Sequence, residues 1–367
     1  MRPTYAEINL KNLQFNYQQI RKKTKTKVIA VVKADAYGHG MIECVKAFEQ
    51  LINSPEYYAV ALIEEAIELR KAKIIKKPIL CFAPYDNDET ENYLKYNISA
   101  TVNSIEQLDV IKKLDVKKRL KVHIKFDTGM GRVGIKINEI DKLIRKLIDI
   151  KNIIIEGIYT HFATSDEKDK TYANYQLSNF NTIISKLKEN KINYGLAHAA
   201  NSGAILDMPE AYFDAVRPGM ILYGYYPSFE TSESIKLKPV MSLLSKVTSI
   251  KQILNEESVS YGRKFIAKED TLICSVPIGY ADGFNRNLTN KATAIIKGKV
   301  YNQVGRVTMD RILFEIKNDK IKIGDKVILL GTDGKNKIDA DDWSKILDTI
   351  PYEITCNISK RIPRIYK

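Results

Sequence analysis

The sequence predicts an α/β protein: a (β/α)8 barrel of the TIM type, followed by a mostly β C-terminal domain. Three observations predict it. The 367 residues suggest roughly two domains. The first two-thirds alternates β-rich runs with segments of helical period. After Tyr226 the texture changes to short alternating runs broken by glycine.

The elements follow in order. Strand-like runs occupy 28–32, 57–61, 78–82, 98–102, 120–126, 153–160, 194–198 and 213–216. Helical patterns fall between them at 41–52, 64–73, 104–113, 138–149 and 172–190. A period that switches between 2 and 3.6 signals βαβ units and a parallel sheet. Eight such strands over about 200–250 residues fit a closed barrel. A doubly wound open sheet would want G-x-G-x-x-G after the first strand, and residues 33–40 do not match it. Residues 1–230 are therefore assigned to the barrel and 231–239 to a linker. Residues 240–367 form the mostly β domain, with strands expected at 272–276, 292–296, 313–316 and 326–330. One helix, 340–347, begins after Asp339 as its cap.

Composition narrows the function. Lys and Arg total 58 against 44 Asp and Glu, a formal charge of +14. Only 13 of these cations are Arg, and the 45 Lys are spread along the chain. Nucleic-acid readers cluster their cations and favour Arg. Basic runs such as Arg21-Lys22-Lys23 and Lys117-Lys118-Arg119 are short. The charge reads as a lysine-rich solvated surface whose field favours small anions. No apolar run approaches the roughly 18 residues of a membrane span. Residues 1–7 lack the apolar stretch of a signal peptide, so the expected address is the cytoplasm. Cys44, Cys81, Cys274 and Cys356 form no C-x-x-C pair and are expected to be reduced and structural. With only four histidines, no metal centre is expected.

A barrel of this kind places its chemistry at the C-terminal ends of the strands. Lys33, Tyr37 and His39 follow the first strand. Asp127 to Arg132 follow the fifth, and His161 the sixth. Asn201, Ser202 and Gly203 follow the seventh, and Arg217-Pro218-Gly219 the eighth. Gly and Ser after the late strands suit a phosphate cradle, because backbone N–H groups must approach closely. Lys33 ends an apolar run, so its stem points into the barrel mouth or to the surface. A buried ammonium is costly. It pairs with an anion or works as an amine of lowered pKa; a drop from ~10.4 to ~7 costs about 4–5 kcal/mol. A Schiff-base lysine beside a phosphate cradle points to pyridoxal phosphate.

The segment Val31-Val32-Lys33-Ala34-Asp35-Ala36-Tyr37-Gly38-His39-Gly40 resembles the cofactor signature of bacterial alanine racemases. The resemblance continues in order through Asp127-Thr128-Gly129-Met130-Gly131-Arg132, Thr160-His161-Phe162-Ala163, Ala200-Asn201-Ser202, Arg217-Pro218-Gly219 and Leu222-Tyr223-Gly224. It persists as Ser260-Tyr261-Gly262, Gly279-Tyr280-Ala281-Asp282-Gly283, Gly305-Arg306-Val307-Thr308-Met309-Asp310 and Ile358-Ser359-Lys360-Arg361-Ile362-Pro363-Arg364. Two departures are mild: Asp35 stands where Asn is common, and Thr308 where Cys is common.

The resemblance implies pyridoxal 5'-phosphate, carried on Lys33. It implies that Lys33 is the base on one face of the substrate Cα. Tyr261, reaching in from the second subunit of a homodimer, is the base on the other. His161 contacts that tyrosine and continues to Arg217, which donates to the pyridine nitrogen. Arginine does not readily yield a proton, so this arrangement weakens the electron sink. Tyr37, Ser202, Gly219, Met220 and Tyr352 are implied to hold the phosphate. Arg132 and the Met309 N–H would meet the substrate carboxylate. Lys125 matches a lysine often carbamylated in the family, with an unmodified core lysine as the alternative. Asp310 and Tyr280 are implied at the subunit interface and substrate entrance, while His39 and His198 are read as supporting or structural. The implied activity is interconversion of L- and D-alanine, supplying D-alanine for peptidoglycan. A serine or broad-specificity racemase, a basic amino-acid decarboxylase and a non-catalytic cofactor-binding barrel remain as alternatives.

Overall fold

The computed structural model describes residues 3–114 and 119–367. Met1, Arg2 and the Lys117-Lys118 pair of one basic run lie outside the described residues. The chain sorts into two compact units. One holds Gln14–Ala36 and Met41–Leu237; the other holds Met1–Leu13, Tyr37–Gly40 and Lys238–Lys367.

In the first unit, eight parallel strands hydrogen-bond in one sequence. They are Ala215–Val216, Lys27–Val31, Tyr57–Val60, Ile79–Pro84, Ser99–Val102, Leu120–Asp127, Ile153–Tyr159 and Leu196–His198. The two ends of the sheet meet. Asp214 N–H donates to the Ala197 carbonyl at 3.0 Å, and Arg217 N–H to the Ala200 carbonyl at 2.8 Å. A nearly closed barrel results, as the alternating pattern predicted. Its strands read as near-continuous apolar runs because both faces are covered, as at Val28, Ile29, Ala30 and Val31.

The surrounding helices start and bury as their sequences require. Ser104 Oγ accepts from the Gln107 N–H at 3.4 Å, and Gln107 Oε1 accepts from the Ser104 N–H at 3.2 Å. This capping box opens Ile105–Lys112, which buries Ile105, Leu108 and Ile111. Ile140–Asp149 buries Ile140, Leu143, Ile144 and Leu147, a stripe at i, i+3, i+4 and i+7. Each such buried side chain contributes roughly 1.5–3 kcal/mol.

The second unit is mostly β. Its larger sheet runs Lys299–Asn302, Thr293–Ile296, Lys326–Asp333, Met241–Lys246, Tyr5–Ile8, Arg364–Tyr366. A second sheet joins Ser249–Ile253, Thr271–Val276 and Ile312–Glu315. The expected helix is present at Ala340–Leu347. Asp339 Oδ1 caps it by accepting from the Asp341 and Asp342 N–H groups at 3.0 and 3.2 Å.

Three features were not legible. Tyr5–Ile8, placed with the barrel by its position in the sequence, pairs instead with Met241–Lys246 and Arg364–Tyr366. Four residues with only Ala6 and Ile8 buried are too short a signal to place. The Leu10–Thr24 helix follows it. Pro351–Cys356 forms a short helix in the β unit, opened by a proline at its first turn. No helix among the described residues is long and apolar enough to cross a membrane.

Candidate active site

Lys33 leaves the Lys27–Val31 strand into a single helical turn, Lys33–Gly38. That turn is left-handed. Ala34, Asp35, Ala36 and Tyr37 have φ of 51°, 53°, 54° and 54°. Each L-residue in this conformation costs roughly 1–2 kcal/mol, so the turn stores strain that its surroundings must offset. Glu65 supplies part of the hold: its carboxylate accepts from Ala34 N–H at 2.5 Å, Ala61 N–H at 2.8 Å and Leu62 N–H at 3.0 Å. Asp35 Oδ1 accepts from the Met41 N–H at 2.7 Å and so starts the next helix. Asn offers the same acceptor, so this cap bond is available to either residue. Gly38 is required by its φ of 83° and because a Cβ would lie 2.2 Å from the Thr355 carbonyl oxygen.

Arg217 lies at the end of the last barrel strand and is only 3% exposed. One terminal nitrogen donates to His198 Nδ1 at 2.8 Å and to the His198 carbonyl at 2.7 Å. The other donates to the carbonyls of Thr160 at 2.6 Å and Ala199 at 2.9 Å, with His161 Nδ1 more distant at 3.5 Å. Guanidinium has five N–H groups. Four are spent on protein acceptors; the Nε–H has no acceptor among the described residues. Burial lowers Arg217 to about 10, which still leaves it cationic at neutral pH. Tyr159 lies beneath it, with the guanidinium 5.3 Å from the ring centroid, and stacks on His198 at 5.0 Å.

Around Arg217 the site is strongly positive. Lys125, 6% exposed, sits 5.6 Å from the Tyr159 ring centroid. Burial, then the charges of Arg132 and Arg217, lower its amine to about 8, with Lys33 adding to the effect and Asp127 opposing it. Burial and the same four cations hold His161 well below its ordinary value, so it is neutral. Asp127 Oδ1 is occupied by the N–H groups of Gly129 and Gly131 at 3.1 and 3.0 Å, which shape the loop that carries the exposed Arg132. The Ser202 turn is held by its own hydrogen bonds. Asn201 Oδ1 accepts from the Ala204 N–H at 3.1 Å and the Ser165 hydroxyl at 2.7 Å. Ser202 Oγ accepts from the Gly219 N–H at 3.0 Å, next to the buried Met220 turn, and keeps its own O–H to donate.

The remaining predicted residues belong to the β unit. Tyr37 and Tyr352 pack with ring centroids 5.8 Å apart. Tyr261 is 72% exposed, on a turn with Ser260, Gly262 and Arg263 at positive φ. Ser260 Oγ–H donates to the Arg306 carbonyl at 2.7 Å and pins that turn. Tyr261, Tyr280, Arg306 and Met309 line an open cavity of about 490 Å³. The Met309 carbonyl accepts from the Ala281 N–H at 3.2 Å. Asp310 is paired with Arg361 at 2.6 Å. His39 is buried, with Nδ1 3.0 Å from the Tyr37 carbonyl. None of the four cysteines is in a disulfide; Cys44, Cys81 and Cys274 are buried and Cys356 is exposed.

Sequence reasoning passed over His123, Tyr159 and Glu65. A signal for the first existed. His123 and Lys125 are two apart on one strand, and so share a face.

Comparison with known proteins settles the family. Residues 8–227 match the alanine racemase N-terminal domain, and residues 240–366 its C-terminal domain. The chain is 44% identical to an alanine racemase of Clostridium novyi, over all of this chain and 96% of that protein. It superposes on a solved alanine racemase of Clostridium difficile 630 with a TM-score of 0.93 at 40% identity, covering 100% and 96% of the two chains. An E. faecalis alanine racemase structure gives 0.93 at 33% identity, covering 100% and 98%.

The chain belongs to the alanine racemase family. That family uses pyridoxal phosphate, and the barrel site suits such a group. The alanine racemase barrel here offers one unspent Arg217 N–H for a ring nitrogen. It offers the Ser202 hydroxyl for a phosphate oxygen. Its cations outnumber the nearby carboxylates, and a cluster of this kind is stabilised by an anionic ligand.

Proposed function

We propose that this protein interconverts L- and D-alanine with pyridoxal phosphate, as a cytoplasmic homodimer that supplies D-alanine for peptidoglycan. Arg217 carries the reading. Buried, cationic and with a single N–H unspent, it can donate a hydrogen bond to a pyridine nitrogen without giving up a proton. The barrel unit, Gln14–Ala36 and Met41–Leu237, would bind the cofactor, and the β unit that includes Lys238–Lys367 would supply Tyr261 and Met309.

Lys33 would hold the cofactor. Tyr37, Tyr352, Ser202, Gly219 and the Met220 backbone would hold its phosphate. Once bound, the group withdraws electrons from the substrate Cα and makes its proton removable. The chain's residues do the rest. The Lys33 amine moves a proton on one face, and the Tyr261 phenol of the partner subunit moves one on the other. Two groups are needed because inversion removes a proton from one side and returns it to the opposite side. A phenol of ordinary pKa near 10 needs help to act near neutrality. Neutral His161, backed by cationic Arg217, supplies it. Arg132 and the Met309 N–H orient the substrate carboxylate.

The test is a D/L interconversion assay over a panel of amino acids. Alanine is expected to turn over fastest; a preference for serine, or release of carbon dioxide from lysine or ornithine, would overturn the assignment. Lys33→Ala is expected to abolish the visible absorbance band that borohydride removes. Tyr261→Phe is expected to lower racemisation on the order of a hundredfold or more, as loss of general acid–base catalysis does. Intact racemisation in both directions would exclude Tyr261 as a base.

A further inference from the structure

Behind Arg217 lies a line of two histidines that the reaction as read above does not use. Arg217 has only donors, so the His198 Nδ1 that meets it at 2.8 Å is an acceptor. His198 therefore carries its hydrogen on Nε2. That atom is 2.9 Å from His123 Nδ1, which must accept in turn. His123 then carries its own hydrogen on Nε2, which has no acceptor among the described residues. A line that starts on a pure donor ends on a donor. Both rings are neutral: burial and the charge of Arg217 bring His123 down to about 3 and hold His198 well below its ordinary value.

The backbone is shaped for this line. His123 stands on Leu120–Asp127, which pairs with Ile153–Tyr159. The register slips between Val122 and His123, so that Val122 faces Ile155 but His123 faces Gly157. Bulges of this kind re-aim a side chain. A Cβ on Gly157 would lie 2.4 Å from His123 Nδ1, so the imidazole fills the space that any other residue would take. Tyr57 meets the other side of the ring edge-on at 6.0 Å.

We propose that His123, seated in the notch of Gly157, is a positioning residue that fixes the His198 tautomer and thereby keeps Arg217 aimed as a donor toward the cofactor ring. The aim toward the cofactor rests on the function proposed above; the tautomer line does not. Without an acceptor at 123, the His198 Nε2–H is stranded in the barrel. Moving that hydrogen to Nδ1 would turn a donor against Arg217 and displace it.

Two measurements test this. The first uses apoprotein labelled with ¹⁵N in its histidine rings, with assignments from His123→Gln and His198→Gln. Both rings are expected as neutral Nε2–H tautomers from about pH 5.5 to 8.5, with no protonation through the ordinary imidazole pKa near 6.5. A cationic ring, or an Nδ1–H form at either position, overturns the proposal.

The second uses holoenzyme. His123→Phe is expected to weaken cofactor binding about tenfold, the scale of one stranded buried donor, and to shift the absorbance maximum. kcat should fall with it, while KM for alanine changes less than about twofold. His123→Gln, which restores an acceptor, should recover most of the loss. Gly157→Ala should mimic His123→Phe, and His123→Ala/Gly157→Ala should be no worse than His123→Ala alone. If His123→Phe or Gly157→Ala binds cofactor like wild type with an unshifted band, the positioning role is wrong. A variant that fails to fold leaves the tautomer measurement, made on wild type, to decide. If wild type bound no cofactor at all, the proposed function would fail, and the apoprotein spectra would still judge the histidine line.

Discussion

Lys125 is a lysine in a place where charge repels charge. It sits among Arg132, Arg217 and Lys33, and its amine is lowered to about 8. The sign of its pH effect follows. Between about pH 8 and its ordinary value of 10.5 the unfolded chain binds this proton and the folded chain does not, so folding stability rises with pH across that window. In bicarbonate-free buffer, Lys125→Met should remove this rise in chemical denaturation; an unchanged slope would mean that Lys125 does not titrate there. A depressed pKa also exposes neutral amine near physiological pH, the form that can add carbon dioxide. The adduct would place an anion among three cations. A ¹³C-carbamate signal from labelled bicarbonate, absent in Lys125→Met, is the expected result. At this scale Lys33 and Arg217 were legible from their chemistry at strand ends, and Lys125 only through the family resemblance. His123 was passed over, because its spacing from Lys125 gives the face it shares but not what it touches.

The element that departs most from expectation is the left-handed turn after Lys33. Local sequence does not favour it: Ala34 and Ala36 prefer the opposite hand. In a right-handed helix Ala34→Gly would cost about 1 kcal/mol. Here the exposed Ala34 has φ of 51°, so the same substitution should be neutral or stabilising by up to about 1 kcal/mol in urea unfolding. A clear destabilisation would contradict the left-handed conformation. At the Ala340–Leu347 helix, sequence and structure agree. Asp339→Ala should cost about 1 kcal/mol through loss of the cap, read as a lower denaturation midpoint at constant slope. The cap was legible because both of its hydrogen bonds are local. The turn was not, because Glu65 holds it from another part of the chain.

For the whole molecule, the exposure of Tyr261 and Met309, at 72% and 51%, fits groups that act in a second copy. A shared site predicts complementation. Lys33→Ala and Tyr261→Phe dimers should each be nearly inactive. Unfolded, mixed and refolded together in equal amounts, they should regain about a quarter of wild-type activity, since half the dimers are mixed and half of their sites intact. No regain would place both residues in one subunit. Light scattering should give a dimer at assay concentration. The +14 charge has a narrower meaning at this scale: the singled-out cations gather at one barrel mouth, and the remainder is dispersed.

By itself the sequence determined the eight-stranded barrel, the β-rich second unit, the family and the reactive residue types. These rest on periodicity and on motifs, which are local properties of the chain. Tertiary structure alone decided that residues 5–8 pair with a strand more than 200 positions away. It alone decided that the turn after Lys33 is left-handed and that the His123 imidazole occupies the space a Cβ on Gly157 would take. Each depends on which distant atoms come within van der Waals or hydrogen-bond reach, and no window of sequence contains both partners.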